Sequence, residues 1–305
     1  MTTQAWATRL RHDSDAEFRI WGLEFNAKLA AIGLIQTADT GQINWTTVVR
    51  PGTAATDAGF EIWAFPDALQ ATAPIYLKIA YGNVNGLNSP RVRIQVGTGT
   101  NGAGTLTGVT TALNLIHQQN GNSFTSNNSS QSYFCFKDGQ LALGWKIPEA
   151  TPAITTGIAG FFCLSRTVDS NGQPTATGVH VFWGAGTSSS QTASQSLRFA
   201  SPSQAFTEQS ATINCMYGFL AQVQLNTSVG SDTQVALGFT WMPRMQPLIS
   251  PCGVLSTELT AGTTFNATLV GTTPRTYLRM PQHTGPFGPI GVASTGGLAM
   301  CVLWE

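Results

Sequence analysis

The sequence predicts a mainly β chain, with antiparallel β-sandwich-like regions and one short N-terminal amphipathic helix. Three observations lead there. Charged residues are only 10% of the 305 against 42% hydrophobic, where soluble domains usually carry roughly a quarter charged, so uncharged polar groups must cover much of the surface. Those groups are Thr, Ser, Asn and Gln, dense in 122–132 and 187–196, and they suit a pleated surface or a turn better than a helix interior. Short runs of β-branched and aromatic residues also alternate with Gly, Asn, Asp, Ser and Pro, the pattern of many short strands joined by turns.

The helix comes first. Ser14 followed three residues later by Glu17 has the form of a capping box, which satisfies free amides at a helix start. Phe18, Trp21, Phe25, Leu29 and Ile32 recur at three- and four-residue steps, so they share one face, and Gly33 supplies a stop. A face with two Phe and a Trp must be covered, either by the chain's own β region or by a neighbouring subunit. These five residues are therefore the candidate assembly face. On this reading 1–40 is an N-terminal helical attachment segment, 41–125 a first β region, and 126–305 a larger β-sandwich-like region.

Strands are expected at 59–65, 75–81 and 91–96; the last two are separated by a loop too long for a tight hairpin, although they can still pair. The segments 133–136 and 141–145 flank Lys137-Asp138-Gly139-Gln140, whose Asp-Gly pair predicts a tight hairpin. A second reversal is expected at Asp169-Ser170-Asn171-Gly172, between 160–167 and 178–183. Further strands are read at 196–199, 217–225, 234–241, 264–270, 275–280 and 299–304. Pro243, Pro247, Pro251, Pro281, Pro286 and Pro289 mark extended connections rather than central strands. No fixed period repeats along the chain, which argues against a solenoid or propeller.

The search for chemistry assigns no catalytic, cofactor-binding or metal-ligating residue and calls for no cofactor, so the expectation is a protein that is not an enzyme. Lys plus Arg equal Asp plus Glu at 15 each, leaving no long-range field for nucleic acid or an anionic membrane. Cys135, Cys163, Cys215, Cys252 and Cys301 are dispersed, suggest neither a disulfide framework nor a zinc site, and read as small buried hydrophobes. His12, His117, His180 and His283 form no metal motif. Gly97-Thr98-Gly99-Thr100-Asn101-Gly102 has the letters of a dinucleotide fingerprint, but the glycines and threonines after it oppose the helix that a phosphate site needs. No nucleophile elbow is present, and Asp138, Glu149 and Glu208 suggest only turn or surface chemistry. Trp145, Trp183 and Trp241 fall in strand candidates and read as core. With neither a signal-peptide pattern nor a bilayer-long apolar run, synthesis in the cytosol without export or membrane insertion is expected.

Leu29 to Trp45, continued by Gly59 to Trp63, Pro74 to Gly82 and Val96 to Gly108, resembles tailed-bacteriophage virion proteins. The resemblance covers the first third of the chain and transfers no functional residue. It implies a structural protein of the particle, associated with tail, baseplate or fibre, present in several copies as a homo-oligomer and partnered by other virion proteins. The expected location is the virion. A tail protein binding a host-surface receptor or glycan is the alternative; a capsid-decorating protein or a glycan-degrading enzyme ranks lower.

Overall fold

The computed structural model describes residues 4–9, 14–84, 86–87, 90–109, 112–117, 129–147, 158–169, 171–186, 190–199, 206–209, 222–224, 234–240, 248–255, 263–267, 274–279 and 299–304. Along the chain come strand β1 (Gln4–Arg9), helix α1 (Asp15–Ala31), and strands β2 (Ile35–Gln36), β3 (Asp57–Ala64), β4 (Tyr76–Asn83), β5 (Pro90–Gly97), β6 (Gly99–Thr100), β7 (Leu106–Thr107) and β8 (Leu113–His117). Longer strands follow: β9 (Ser129–Lys137), β10 (Gln140–Ile147), β11 (Ile158–Val168), β12 (Pro174–Gly186), β13 (Ser190–Phe199) and β14 (Phe206–Gln209). The last are β15 (Gln222–Gln224), β16 (Gln234–Thr240), β17 (Leu248–Leu255), β18 (Thr264–Ala267), β19 (Arg275–Arg279) and β20 (Ala299–Leu303).

Among the described residues the chain is mainly β, with antiparallel sheets and one α-helix near the N-terminus. Seven strands order as β1-β9-β10-β11-β12-β13-β14, six as β15-β16-β17-β20-β19-β18, and five as β2-β3-β4-β5-β8, with β6 and β7 as a separate pair.

Local chemistry sets the ends of α1. The Ser14 hydroxyl accepts from the Glu17 amide at 3.1 Å, and Asp15 and Glu17 in the first turn with Lys28 in the last match the helix dipole. At the other end Gly33 has φ +100°. The Gly33 amide donates to the Ala30 carbonyl and the Leu34 amide to the Leu29 carbonyl, the double closure that an αL glycine permits.

Packing decides which face of α1 is inside. Phe18, Trp21, Phe25, Leu29 and Ile32 are at most 3% exposed. Phe25 meets Tyr81 of β4 at 5.9 Å between ring centroids and Phe134 of β9 at 5.2 Å, so α1 lies against both the five-stranded and the seven-stranded sheet. Phe65 continues the same core onto Phe136 at 4.9 Å. The candidate assembly face is thereby corrected: the chain itself covers it, because Trp21 and Phe25 pack on Tyr81, Phe25 also on Phe134, and Phe18 on Trp45 of the 42–50 loop. Nor do the first forty residues stand apart as an attachment segment, since β1 pairs with β9 from Gln4↔Phe134 to Arg9↔Ser129.

Gly22 is the point of closest approach. A Cβ added there would stand 2.1–2.3 Å from three atoms of the Trp45 ring. Alanine is the better helix former by about 1 kcal/mol, but forcing the indole away costs about 1–3 kcal/mol. Gly22→Ala is therefore expected to destabilise, read as a lower urea midpoint; an unchanged or higher midpoint would show that Trp45 yields freely.

The expected hairpins are present. Lys137 pairs with Gln140, leaving Asp138 and Gly139 as a two-residue loop with φ of 45° and 74°, the double positive φ of a type I′ turn. Between β11 and β12 the Asp169 carboxylate accepts from the Asn171 and Gln173 amides at 2.8 and 2.9 Å, an Asx-type reversal. β4 and β5 also pair, from Tyr76↔Gly97 to Asn83↔Pro90.

Pro251 departs from expectation. It lies in β17, an interior strand between β16 and β20. The β16 register shifts between Leu237↔Gly253 and Phe239↔Ile249, and pairing to β20 begins only at Gly253. A bulge thus surrounds the proline, which needs no ladder donor there.

Gln140, fully buried, joins this sheet to the seven-stranded one. Its amide donates to the Leu303 carbonyl at 2.8 Å and accepts from the Leu303 amide at 3.4 Å, as a neighbouring strand would. Cys135 and Cys163 are buried, as expected. His12, His283, Glu149, Trp241, Cys215, the strand ends expected at 217–221 and 268–270, and the prolines expected in connections other than Pro251 lie outside the described residues.

Candidate functional site

β3 turns Glu61 and Trp63 toward the core beneath α1, and Phe65, just past its end, continues that alternation. Glu61 is fully buried and accepts four hydrogen bonds. Oε1 takes Trp45 Nε1 at 2.7 Å and Asn26 Nδ2 at 2.8 Å; Oε2 takes the Tyr81 hydroxyl at 2.7 Å and Trp63 Nε1 at 3.3 Å. A carboxylate offers about four lone-pair sites, and here four donors meet them in place of water. Burial first, and the Glu61 carboxylate second, push the Tyr81 hydroxyl well above its usual pKa, so Tyr81 remains a donor. This group binds α1, the 42–50 loop, β3 and β4 together, and all of it but the half-buried Asn26 is buried. It is scaffold chemistry.

The opposite face of the same sheet carries charge. Arg91 Nη2 donates to the Ala55 carbonyl and to Asp57, both at 2.8 Å, and Arg93 also pairs with Asp57. Two guanidinium groups thus share one carboxylate, and Arg91 Nε and Arg93 Nε are buried without a hydrogen-bond partner. Lys78 donates to the Gly104 carbonyl at 2.6 Å and stands 4.1 Å over the Phe60 ring; burial holds its pKa below the usual lysine value.

Asp39 ties the 37–43 loop to the β6–β7 hairpin. It is 8% exposed and accepts from Thr37 at 2.7 Å, from the Gly104 amide at 3.1 Å, and from the Thr100 hydroxyl. Burial pushes its pKa up, but the bonds from Thr100, Thr37 and Gly104 outweigh that and hold it below the ordinary carboxylate value. A lowered folded-state pKa stabilises above the unfolded-state value, roughly pH 4, and the contribution disappears as pH falls through the folded value. Asp39→Asn is therefore expected to be less stable than the parent at neutral pH, with the gap narrowing on acidification below that value. Urea midpoints at neutral and acid pH measure it, and a gap that widens in acid refutes the assignment.

The outward side of α1 is exposed and carries large apolar side chains. Ile20, Leu23, Ile35, Val49 and Leu87 are 40–58% exposed. Ile20 and Leu23 project from α1, and the other three flank it. Arg19 Nε donates to the Val48 carbonyl at 2.7 Å, Arg50 pairs with Asp15 and reaches the Leu87 carbonyl at 3.4 Å, and Asn26 reaches Gln36 beside Ile35 at 3.5 Å. Large exposed apolar residues gathered in this way mark interaction surfaces.

The periodicity that locates the helix also runs along its outward residues, which recur at three- and four-residue steps. Arg91 and Arg93 were legible too, because alternate residues of a strand share a face. The Gly97–Gly102 run enters the β6–β7 hairpin, so no helix follows it to hold a phosphate. His117 and His180 lie in β8 and β12, with His117 opposite Arg91 in register. Among the described residues no three of His, Cys, Asp and Glu come together as metal ligands, and no helix is long and apolar enough to cross a membrane. The chain matches no family model, no curated protein and no solved structure.

Proposed function

We propose that this chain is a structural component of a tailed-phage particle, acting in several copies through protein–protein assembly. The observation that carries assembly is the exposed apolar patch on and around α1, formed by Ile20, Leu23, Ile35, Val49 and Leu87 on a chain with few charged residues. Such a patch is more useful covered than wet. The phage particle is supported by the resemblance of the first third of the sequence to tailed-phage virion proteins. The internal roles of Glu61, Gln140 and Asp39 suit a rigid part that presents surfaces. Mass spectrometry of purified particles, followed by cryo-electron microscopy, tests the reading: the chain is expected as a stoichiometric component, and its absence from particles would sink the idea.

A further inference from the structure

We propose that the outward face of α1 pairs with the same face of a second copy of this chain, the two helices lying side by side and parallel. This rests on the assembly reading and names its partner. Ala16, Ile20, Leu23, Ala27 and Ala30 are all exposed. They follow one another in steps of four, three, four and three, the heptad spacing of a coiled-coil seam. Opposite this seam lie Phe18, Phe25 and Ile32, which face the core. α1 thus carries two apolar stripes, and the chain's own sheets cover only one of them.

The composition of the seam fits a helix as its occupant. Ile20 and Leu23 stand at its centre, 40% and 49% exposed, while the alanines on either side let a second helix approach toward the short end of the roughly 8–10 Å range of helix packing. The flanking charges choose the direction. Arg19 and Asn26 line one edge of the seam, and Glu17 and Glu24 the other. In a parallel pair each Arg19 meets Glu24 of the other copy, and symmetry makes the contact twice. An antiparallel pair would instead bring the two Glu24 side chains toward each other. Arg19 is already held at its edge by the Val48 and Thr47 carbonyls, at 2.7 and 3.3 Å, so less freedom is lost on pairing. A stable interface buries roughly 1,200–2,000 Å² in total, more than one short seam supplies. Ile35, Val49 and Leu87 beside the helix extend it, and a formal net charge of zero gives the copies no long-range repulsion.

Light scattering on the size-separated full chain is expected to show an oligomer. The double variant Ile20→Glu/Leu23→Glu, whose changes lie at exposed positions, is expected to run at monomer mass with an unchanged circular dichroism spectrum. Ala16→Cys and Ala30→Cys, tested singly, are expected to give oxidant-dependent covalent dimers above the parent's background; Ala103→Cys, exposed in the β6–β7 turn, is not. A monomeric parent, an unchanged mass for the double variant, or a crosslink at Leu23→Cys with none at Ala16→Cys or Ala30→Cys would each overturn the parallel pair. A monomeric chain still found in purified particles ends the self-pairing and leaves the assembly reading standing. A chain missing from particles that still oligomerises through α1 does the reverse.

Discussion

Glu61→Ala is expected to destabilise the fold by about 4–5 kcal/mol, at the upper end of what one substitution does. Two terms add. Deleting the buried side chain leaves a cavity, and four donors lose their acceptor together: Asn26, Trp45, Trp63 and Tyr81. Each buried donor left unmet costs about 1–3 kcal/mol, and a water entering the polar hole recovers part of that. Glu61→Gln keeps the shape but turns one acceptor into a donor that faces other donors, for about 1–3 kcal/mol. Tyr81→Phe removes one donor and leaves the carboxylate three, so its expected cost is about 1–2 kcal/mol. Chemical denaturation ranks the three, and indole fluorescence reports the site directly, since Trp45 and Trp63 both bond to Glu61. A Glu61→Ala variant within 1 kcal/mol of the parent, on the scale where two-state shifts are resolved, would mean that the cluster does not hold α1 to the sheet.

Arg166→Met is expected to cost about 3–5 kcal/mol, the usual penalty for removing one partner of a buried ion pair. Arg166 in β11 is fully buried. Nε and Nη2 grip Asp67 at 2.6 and 2.9 Å, and Nη1 donates to the Ala73 carbonyl at 2.9 Å. These bonds fasten the seven-stranded sheet to the 3-10 turn at Ala68–Ala71 beside the five-stranded one. Arg166→Lys keeps the charge but loses the planar fork that spans two carboxylate oxygens and a carbonyl, so it is expected to rescue only part of the loss. Replacing both partners, as Arg166→Met/Asp67→Leu, leaves no stranded charge and is expected to be more stable than Arg166→Met alone. The comparison separates a stranded carboxylate from lost packing. A double variant that is worse by the sum of the single effects would show that packing, not the ion pair, is what Arg166 contributes.

Particular elements show how far the sequence reaches. Ser14 and Gly33 bound α1 because caps are local: each satisfies backbone groups within a few residues. Asp138-Gly139 specifies its hairpin for the same reason, since positive φ at two successive positions is a property of those residues and the turn they form. Strand positions from 59 to 96 follow from β-branched residues between turn formers. In each case the deciding interaction spans a short stretch of chain.

The remainder depended on residues far apart. Two apolar stripes on α1 share the same periodicity, so spacing could not say which one turns inward; the choice fell to the stripe whose rings fit Tyr81, Phe134 and Trp45. Pro251 reads as a break in any strand until the partners of β17 show the bulge around it. Glu61 shares the inward face of β3 with Trp63 by simple alternation, yet its other donors come from α1, a loop and β4. Arg166 and Asp67 stand 99 residues apart, and nothing in either neighbourhood names the other. Sequence therefore determined the helix limits, the tight turns and the β character, which backbone sterics and nearby hydrogen bonds control. Tertiary structure alone decided which face of α1 is buried and which is left exposed, because that is settled by ring volumes and donors meeting across two sheets.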